Sequence, residues 1–398
     1  MLETSVLWLV PGLQHPVYSR YAEFFAGLFG RFQVIDYRAM YLDSGRNVLC
    51  QHVRDAIEET AVQLVIYSQF PSSYSYLAPE FLRQISEHRA VVGFGYDDEI
   101  YFEQAKYFYE ACTAVITTDI AGAEYLRQLG VPTYLAQLQL PSRGETNIEH
   151  TSQDIDISFV GDMSKPGRRE FVAYLESQGL AVADYGAGSR QGPVSDAQLR
   201  QIFRRSKINL NFTATNPPAW ILRHDPLRAG FGQIKGRPFE LAEMGCFCLC
   251  EWAPCVEYWF RPGVDIGVFR NAEELANQAK HYLAEDALRR SVAAAAKARH
   301  ETELSSERQF TRIFSAILGE RRRLHTRRIV TDSPLFHESM GRSRGTAFLH
   351  ALRRVSPLRA LAEAFGPGAS RFSYWFGFMA AVSGALKRVV SGRERKPA

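Results

Sequence analysis

Lys235, Arg237 and Glu240 stand close together in the run Lys235-Gly-Arg-Pro-Phe-Glu-Leu-Ala-Glu-Met-Gly245. Pro238 suits a first helical turn, where its missing N–H is harmless, and Gly245 suits the position just past a helix end. The run predicts a loop, a short helix and a stop, and Cys246-Phe-Cys-Leu-Cys-Glu251 after it reads as a buried strand. A helix start offers unpaired N–H groups and a partial positive charge. Lys235 and Arg237 beside it would make a site for a diphosphate. Glu240, in the first turn, faces the same place, and a carboxylate there can take both hydroxyls of a ribose. The plainer reading is a solvated loop followed by an acid that offsets the helix dipole. The surrounding elements have to decide between the two.

Those elements alternate. Ser5–Val10, Phe32–Asp36, Gln63–Tyr67, Ala90–Phe94, Ala114–Thr117 and Pro132–Leu135 are short apolar runs of the kind a buried parallel strand requires, with helical spacing between them. Polar Ser142–Gln153 reads as a linker. Beyond it, strands are expected at 156–160, 181–185, 207–212, 246–251 and 265–269, again separated by helical patterns, with a last helix over 306–318. The fold class is therefore α/β, with two Rossmann-like, doubly wound domains over residues 1–145 and 154–318. Loops at the carboxyl ends of both sets of strands are expected to face a cleft between the domains. Residues 319–398 form a basic, partly amphipathic helical tail.

Composition narrows the classes. A chain of 398 residues is too long for one ordinary core. A net charge of +4 is too mild to make nucleic acid the main partner. The six cysteines form no Cys-x-x-Cys pair, so neither a zinc site nor a dithiol redox motif is expected. Cys246, Cys248 and Cys250 alternate and read as buried free thiols on one strand face, which suits a reducing, cytoplasmic setting. The N-terminal MLETSVLWLVPG lacks a charged leader and cleavage site and reads as a first strand.

Several motifs together carry a family resemblance. Ile157-Ser-Phe-Val-Gly161, Arg168, Tyr185-Gly-Ala-Gly188, Ser206-Lys-Ile-Asn-Leu-Asn211, Lys235-Gly-Arg-Pro-Phe-Glu240 and Gly245 resemble the spore-maturation CgeB-like glycosyltransferases. These carry a family-4-like C-terminal domain in the GT-B fold. The resemblance spans residues 155–315 in motifs and the N-terminal half only as a pattern of elements. It implies a nucleotide-sugar donor held by the C-terminal domain and an acceptor set against the N-terminal one. Arg168, Lys235 and Arg237 would hold the diphosphate and stabilise the leaving group, Glu240 would take the ribose, and Tyr185, Gly186 and Gly188 would lie near the base. Fixed cations suit this chemistry, because a nucleoside diphosphate departs with growing negative charge. Family-4 enzymes usually carry a second Glu eight residues before the ribose Glu; that position here is Gly232.

On the acceptor side the resemblance places Asp97 and Asp98 at the end of the fourth strand, as a general base or positioning carboxylate. The alternative is a helix N-cap and first-turn acid. His15, after the first strand, would face the same cleft. No cofactor is expected; Asp97-Asp98 is not an Asp-x-Asp pair, and Mg²⁺ is allowed for without being required. The long loop 213–232 reads as a lid over the donor sugar or a surface insertion. In the tail, short helices are expected over 348–355 and 358–365, split by Pro357, with an aromatic run over 372–382 and cations at Lys387, Arg388, Arg393, Arg395 and Lys396. Aromatic residues beside cations suit an anionic membrane surface; packing on the body is the alternative. The expected function is transfer of a sugar from a nucleoside-diphosphate sugar to a glycan, lipid-linked or protein acceptor in cell-surface polysaccharide or glycoconjugate synthesis. A non-catalytic nucleotide-sugar-binding protein and a GT-B epimerase are the rival readings.

Overall fold

The computed structural model describes residues 2–70, 73–140, 152–319, 329, 331–365 and 369–390. Most of the expected linker lies outside these residues, as do Arg321–Arg323, Arg327, Arg328, Arg393, Arg395 and Lys396. The chain forms two compact units, one of residues 1–136 with 311–398 and one of residues 137–310.

The first unit opens with β1 (Leu2–Val10), α1 (Pro16–Leu28), β2 (Phe29–Asp36), α2 (Tyr37–Ser44), α3 (Arg46–Glu59) and β3 (Leu64–Ser68). It continues with α4 (Pro79–Ser86), β4 (Ala90–Phe94), α5 (Asp98–Tyr109), β5 (Ala114–Thr117), α6 (Ile120–Gln128) and β6 (Thr133–Leu135). The six strands pair in parallel in the order β2-β1-β3-β4-β5-β6. Val6 to Val10 and Leu64 to Tyr67 are buried throughout, as a parallel sheet covered on both faces demands. Strand order reverses between β1 and β3, where the Trp8 indole donates to the Ser68 hydroxyl over 2.9 Å.

The second unit has β7 (Ile155–Val160), α7 (Arg168–Ser177), β8 (Val182–Tyr185), α8 (Asp196–Arg205), β9 (Ser206–Asn211) and α9 (Ala219–Leu222). There follow α10 (Arg237–Glu243), β10 (Cys248–Glu251), α11 (Val256–Trp259), β11 (Gly267–Phe269), α12 (Ala272–Ala284) and α13 (Asp286–Arg299). Its sheet is also parallel, in the order β11-β10-β9-β7-β8, with the reversal between β7 and β9. All eleven strands coincide with the apolar runs predicted for them, to within a few residues at the ends. Cys246, Cys248 and Cys250 are buried free thiols, as their alternation predicts.

The helix α14 (Ser306–Gly319) leads the chain back into the first unit, where α15 (Pro334–Arg354), α16 (Pro357–Ala364) and α17 (Phe372–Val390) follow. Here the expectation of a short helix over 348–355 needs correction. The helix α15 is a single element of 21 residues, and its Phe336 and Ala347 belong to the same apolar cluster as Leu7, Tyr37 and Phe108. The Tyr41 hydroxyl of α2 donates to Glu363 on α16, which also takes Arg344 of α15 at 2.5 Å, so a buried hydrogen bond anchors α16 to α2 and a buried ion pair joins it to α15. The physical reason lies in side-chain size. The inner face of α15 is built from Gly341, Ser343, Gly345, Ala347 and Ala351, which bury well but make no apolar stripe in sequence. A Cβ at Gly341 would run into the Tyr374 carbonyl, and one at Gly377 into the Glu338 carbonyl. The two helices touch backbone to backbone.

Candidate active site

In the second unit the loops after β7 and β9 leave the carboxyl ends of neighbouring strands at the point of reversal. That is where open α/β sheets bind their ligands. The first loop, 161–167, is tied to the turn after β8: the Gly161 amide donates to the Tyr185 carbonyl at 2.9 Å, and the Met163 amide to the Ala187 carbonyl at 2.8 Å. Gly186 adopts φ +108°, and a Cβ there would run into the Gly161 carbonyl, so only glycine lets the two turns meet. Gly188, also at positive φ, offers its carbonyl to the Arg169 guanidinium at 2.8 Å. Tyr185 is half-buried at the edge of this turn.

Arg168 opens α7 and is buried, 8% exposed. Its Nη1 donates to the Asp162 carbonyl at 2.9 Å and its Nη2 reaches the Phe212 carbonyl at 3.5 Å, while the guanidinium lies 5.2 Å from the Phe159 ring centroid. Burial lowers its pKa, and the carboxylates of Asp162 and Glu251 oppose this. Arg168 thus joins the loops after β7 and β9 from beneath.

The helix α10 begins at Arg237 with Pro238 in its first turn, and the chain passes into Gly245 at φ +65°, as the motif predicts. Lys235 is exposed on the loop entering it. The Arg237 Nη1 donates to the Glu240 carboxylate at 2.6 Å, and the guanidinium sits 4.7 Å from the centroid of the Phe203 ring on α8. Two side chains expected to serve different parts of a nucleotide are therefore bonded to each other, both about one-quarter exposed. The ring of Phe203 and the acid Glu251 were not singled out from sequence. Glu251 ends β10 at its carboxyl edge and accepts from the Thr213 amide at 2.7 Å and hydroxyl at 3.1 Å. Its place at the end of a buried strand was the available signal.

The excursion 213–233 is closed at its base by an antiparallel bridge between Ala214 and Gly232, and carries α9 and a 3₁₀ turn over Pro226–Gly230. A Cβ at Gly232 would stand 3.0 Å from both the Ala253 Cβ and the Thr213 hydroxyl. A longer side chain there would need its neighbours to give way.

In the first unit, Asp97 occupies the N-cap position of α5 in a left-handed conformation, φ 53°, without a capping bond from its side chain. Asp98 points inward: it is 1% exposed, and its carboxylate accepts from the Tyr109 hydroxyl at 2.8 Å and the Thr117 hydroxyl at 2.6 Å. A Cβ at Gly95 would run into that carboxylate, so the glycine makes its room. Burial pushes Asp98 up to about 7, against the lowering by Thr117 and Tyr109. Glu99, taking the Thr118 hydroxyl at 2.8 Å, is pushed by burial up to about 8. His15 is exposed and caps α1, its Nδ1 accepting from the Val17 amide at 3.3 Å. Asp98 is thus enclosed by its own unit, while Asp97 and His15 reach its surface.

Residues 164–315 match the family described as glycosyl transferase-like, a span that takes in Arg168, Lys235, Arg237 and Glu240. No curated protein matches the chain in sequence. Among solved structures, HepE from Anabaena in complex with UDP and glucose superposes with a TM-score of 0.54 at 12% identity, covering 79% of this chain and 100% of that one. Sucrose-phosphate synthase from Thermosynechococcus elongatus gives 0.52 at 11% identity, covering 79% and 100%. The lipopolysaccharide outer core galactosyltransferase WaaB gives 0.51 at 10%, covering 79% and 99%. The fold is that of the GT-B glycosyltransferases, and the match to the glycosyl transferase-like family covers residues 164–315.

Proposed function

We propose that the protein transfers a sugar from a nucleoside-diphosphate sugar to a glycan, lipid-linked or protein acceptor. The observation that carries this is the coincidence of the glycosyl transferase-like span with the strand-end loops that hold Lys235, Arg237 and Glu240. In the proposed reaction the donor diphosphate takes the Arg237 guanidinium from Glu240, which frees that carboxylate for the ribose hydroxyls. The bond from the anomeric carbon to the diphosphate oxygen breaks, the acceptor hydroxyl oxygen bonds to that carbon in its place, and the charge left on the departing oxygen is met by Arg237 and Lys235. Side chains rather than a resident cation carry that charge in this scheme. Arg168 keeps the two loops in register. Asp97 and His15 are the acceptor-side groups available to take the hydroxyl proton. The motif set over 155–315 supports placing the chain with the CgeB-like group.

Arg237→Ala is expected to weaken UDP or GDP binding by ~1–3 kcal/mol, the range for losing a charge-assisted contact, read by calorimetric titration. Unchanged affinity for every nucleotide that binds would remove Arg237 from the donor site. Release of free nucleotide from a panel of nucleotide sugars tests transfer itself. The crowding at Gly232 favours one second reading, a protein that binds the donor without transferring it; tight binding with no release in the presence of any acceptor would establish that instead.

We also propose a cytoplasmic, peripheral place at an anionic membrane. Among the described residues no helix is long and apolar enough to cross one. Leu358, Leu361 and Phe365 form an exposed stripe along α16, and Phe372, Phe376 and Met379 form another along α17, with Leu358 at 81% and Phe372 at 86% exposure. Exposed Arg353, Arg354, Arg371 and Lys387 flank them. Such a surface suits the headgroup and acyl boundary. The protein is expected to sediment with phosphatidylserine vesicles, partly released by 0.5 M salt as about a 10 Å screening length at 0.1 M shrinks further. Phe372→Ser with Leu358→Ser should abolish the salt-resistant fraction; equal sedimentation of that variant would refute the assignment.

A further inference from the structure

The second unit has a groove of about 540 Å³ at the amino ends of its strands, the opposite edge of the sheet from the loops described above. That size falls within the range of small-molecule sites, roughly 300–1,000 Å³. One wall is α13, which contributes Arg289, Arg290 and Lys297; facing it are Arg204 from the end of α8 and Lys207 from the start of β9. Among the described residues, five cations line the groove with one acid, Asp286. Its floor is apolar, made by buried Met244, Phe247 and Ala293.

The cations differ in how firmly they are held. Arg289 is fixed: its side chain is 3% exposed, its Nη1 donates to the Tyr282 carbonyl at 2.7 Å, and it pairs with Asp286. Three of the others make surface contacts that an anion can replace at small cost. Arg290 meets Asp286 at 2.7 Å, Lys207 meets Asp156 at 2.6 Å, and Lys297 stands 4.0 Å from Glu301. One anchored guanidinium, several exchangeable cations and an apolar floor match a ligand with a dianionic end and an apolar body. Neither an uncharged sugar nor a bare inorganic ion uses both halves.

We infer that this groove is a second ligand site, separate from the donor loops, for a small phosphate monoester with an apolar or aromatic portion. The test uses the full-length protein with phenyl phosphate and inorganic phosphate as probes, each titrated calorimetrically with UDP held in large excess so that the strand-end loops are occupied. Phenyl phosphate is expected to bind, at least threefold more tightly than inorganic phosphate. The variant Lys207→Ala/Arg290→Ala/Lys297→Ala is expected to lose at least tenfold in phenyl phosphate affinity. All three side chains lie outside the packed core, and far-UV circular dichroism checks the variant's fold. Hydrogen exchange on the wild-type protein gives an independent readout: phenyl phosphate should slow exchange over 286–297 and 244–247. No binding under excess UDP, equal affinity for the two probes, unchanged affinity in the variant, or protection elsewhere in the chain would each overturn the site. Should UDP itself not bind, the comparison of wild type with variant and the map of protection still decide the matter.

Discussion

Deletion of residues 331–398 is expected to leave the N-terminal unit unfolded and insoluble, even though the deleted stretch comes after two complete α/β patterns. The deletion removes Phe336, whose ring lies 4.7 Å from Tyr107 and 6.1 Å from Phe108 by centroid. It removes the Ser343 hydroxyl, bonded to the Ser75 hydroxyl at 2.6 Å and the Ser75 amide at 3.1 Å. It also takes Glu363 from the Tyr41 hydroxyl, leaving that buried group without its acceptor. Each orphaned buried polar group costs about 1–3 kcal/mol, and each large apolar side chain stripped of its cover costs about 1.5–3 kcal/mol. Together these approach the ~5–15 kcal/mol that holds a whole domain. A point substitution isolates the same packing. Gly341→Leu should lower the melting temperature steeply, because the added side chain meets the Tyr374 carbonyl and not a side chain that can turn aside. Leu358→Ser, on the exposed stripe, should leave it unchanged. A soluble, cooperatively melting 1–330 fragment would show instead that α15 to α17 are dispensable.

Stability should also fall as pH rises from about 4 to about 8. Asp98 and Glu99 are raised to about 7 and about 8 in the folded chain, chiefly by burial. In the unfolded chain both ionise near their ordinary values, about 4. Between those limits the unfolded state gives up protons that the folded state keeps, so the stabilising contribution is complete below pH ~4 and is lost through the folded pKa values. Each group contributes on the order of a few kcal/mol across that window. Thermal melts from pH 5 to pH 8 should therefore slope downward, and Asp98→Asn with Glu99→Gln, which keep shape and remove the titration, should flatten the slope. An equally steep slope in the double variant would assign the pH dependence to other groups.

Much of this was visible in the sequence. Apolar runs such as Val6 to Val10 can only be satisfied between two covered faces, which fixes parallel strands and, through their alternation with helices, the fold class. The motif from Lys235 to Gly245 declares its own turn chemistry through Pro238 and Gly245. What stayed hidden depends on contacts distant in the chain. Nothing local says that Asp98 turns inward, because the room for it is made by Gly95 and the bonds by Tyr109 and Thr117. Arg237 and Glu240, three apart on one helix, are within each other's reach by spacing alone, but nothing local says that the guanidinium lies over a ring contributed by Phe203. The helix α15 escaped because a face of Gly, Ser and Ala carries no hydropathy signal, although it is among the best buried in the unit. The basic groove escaped because its cations come from α8, β9 and α13, and no short window contains them.

The first unit is assembled from the two ends of the chain, residues 1–136 and 311–398. On a ribosome, the sheet of β1 to β6 emerges first, but Phe314, which packs on Phe25 and Phe29, and then Phe336 arrive only after the entire second unit has been made. At about 5–20 residues per second the wait is on the order of tens of seconds. During it, Tyr107, Phe108 and the Tyr41 hydroxyl have no permanent cover, while the second unit, continuous in the chain, is free to fold. The last domain to finish is the one whose synthesis began first, and the nascent chain must be kept from aggregating through that interval.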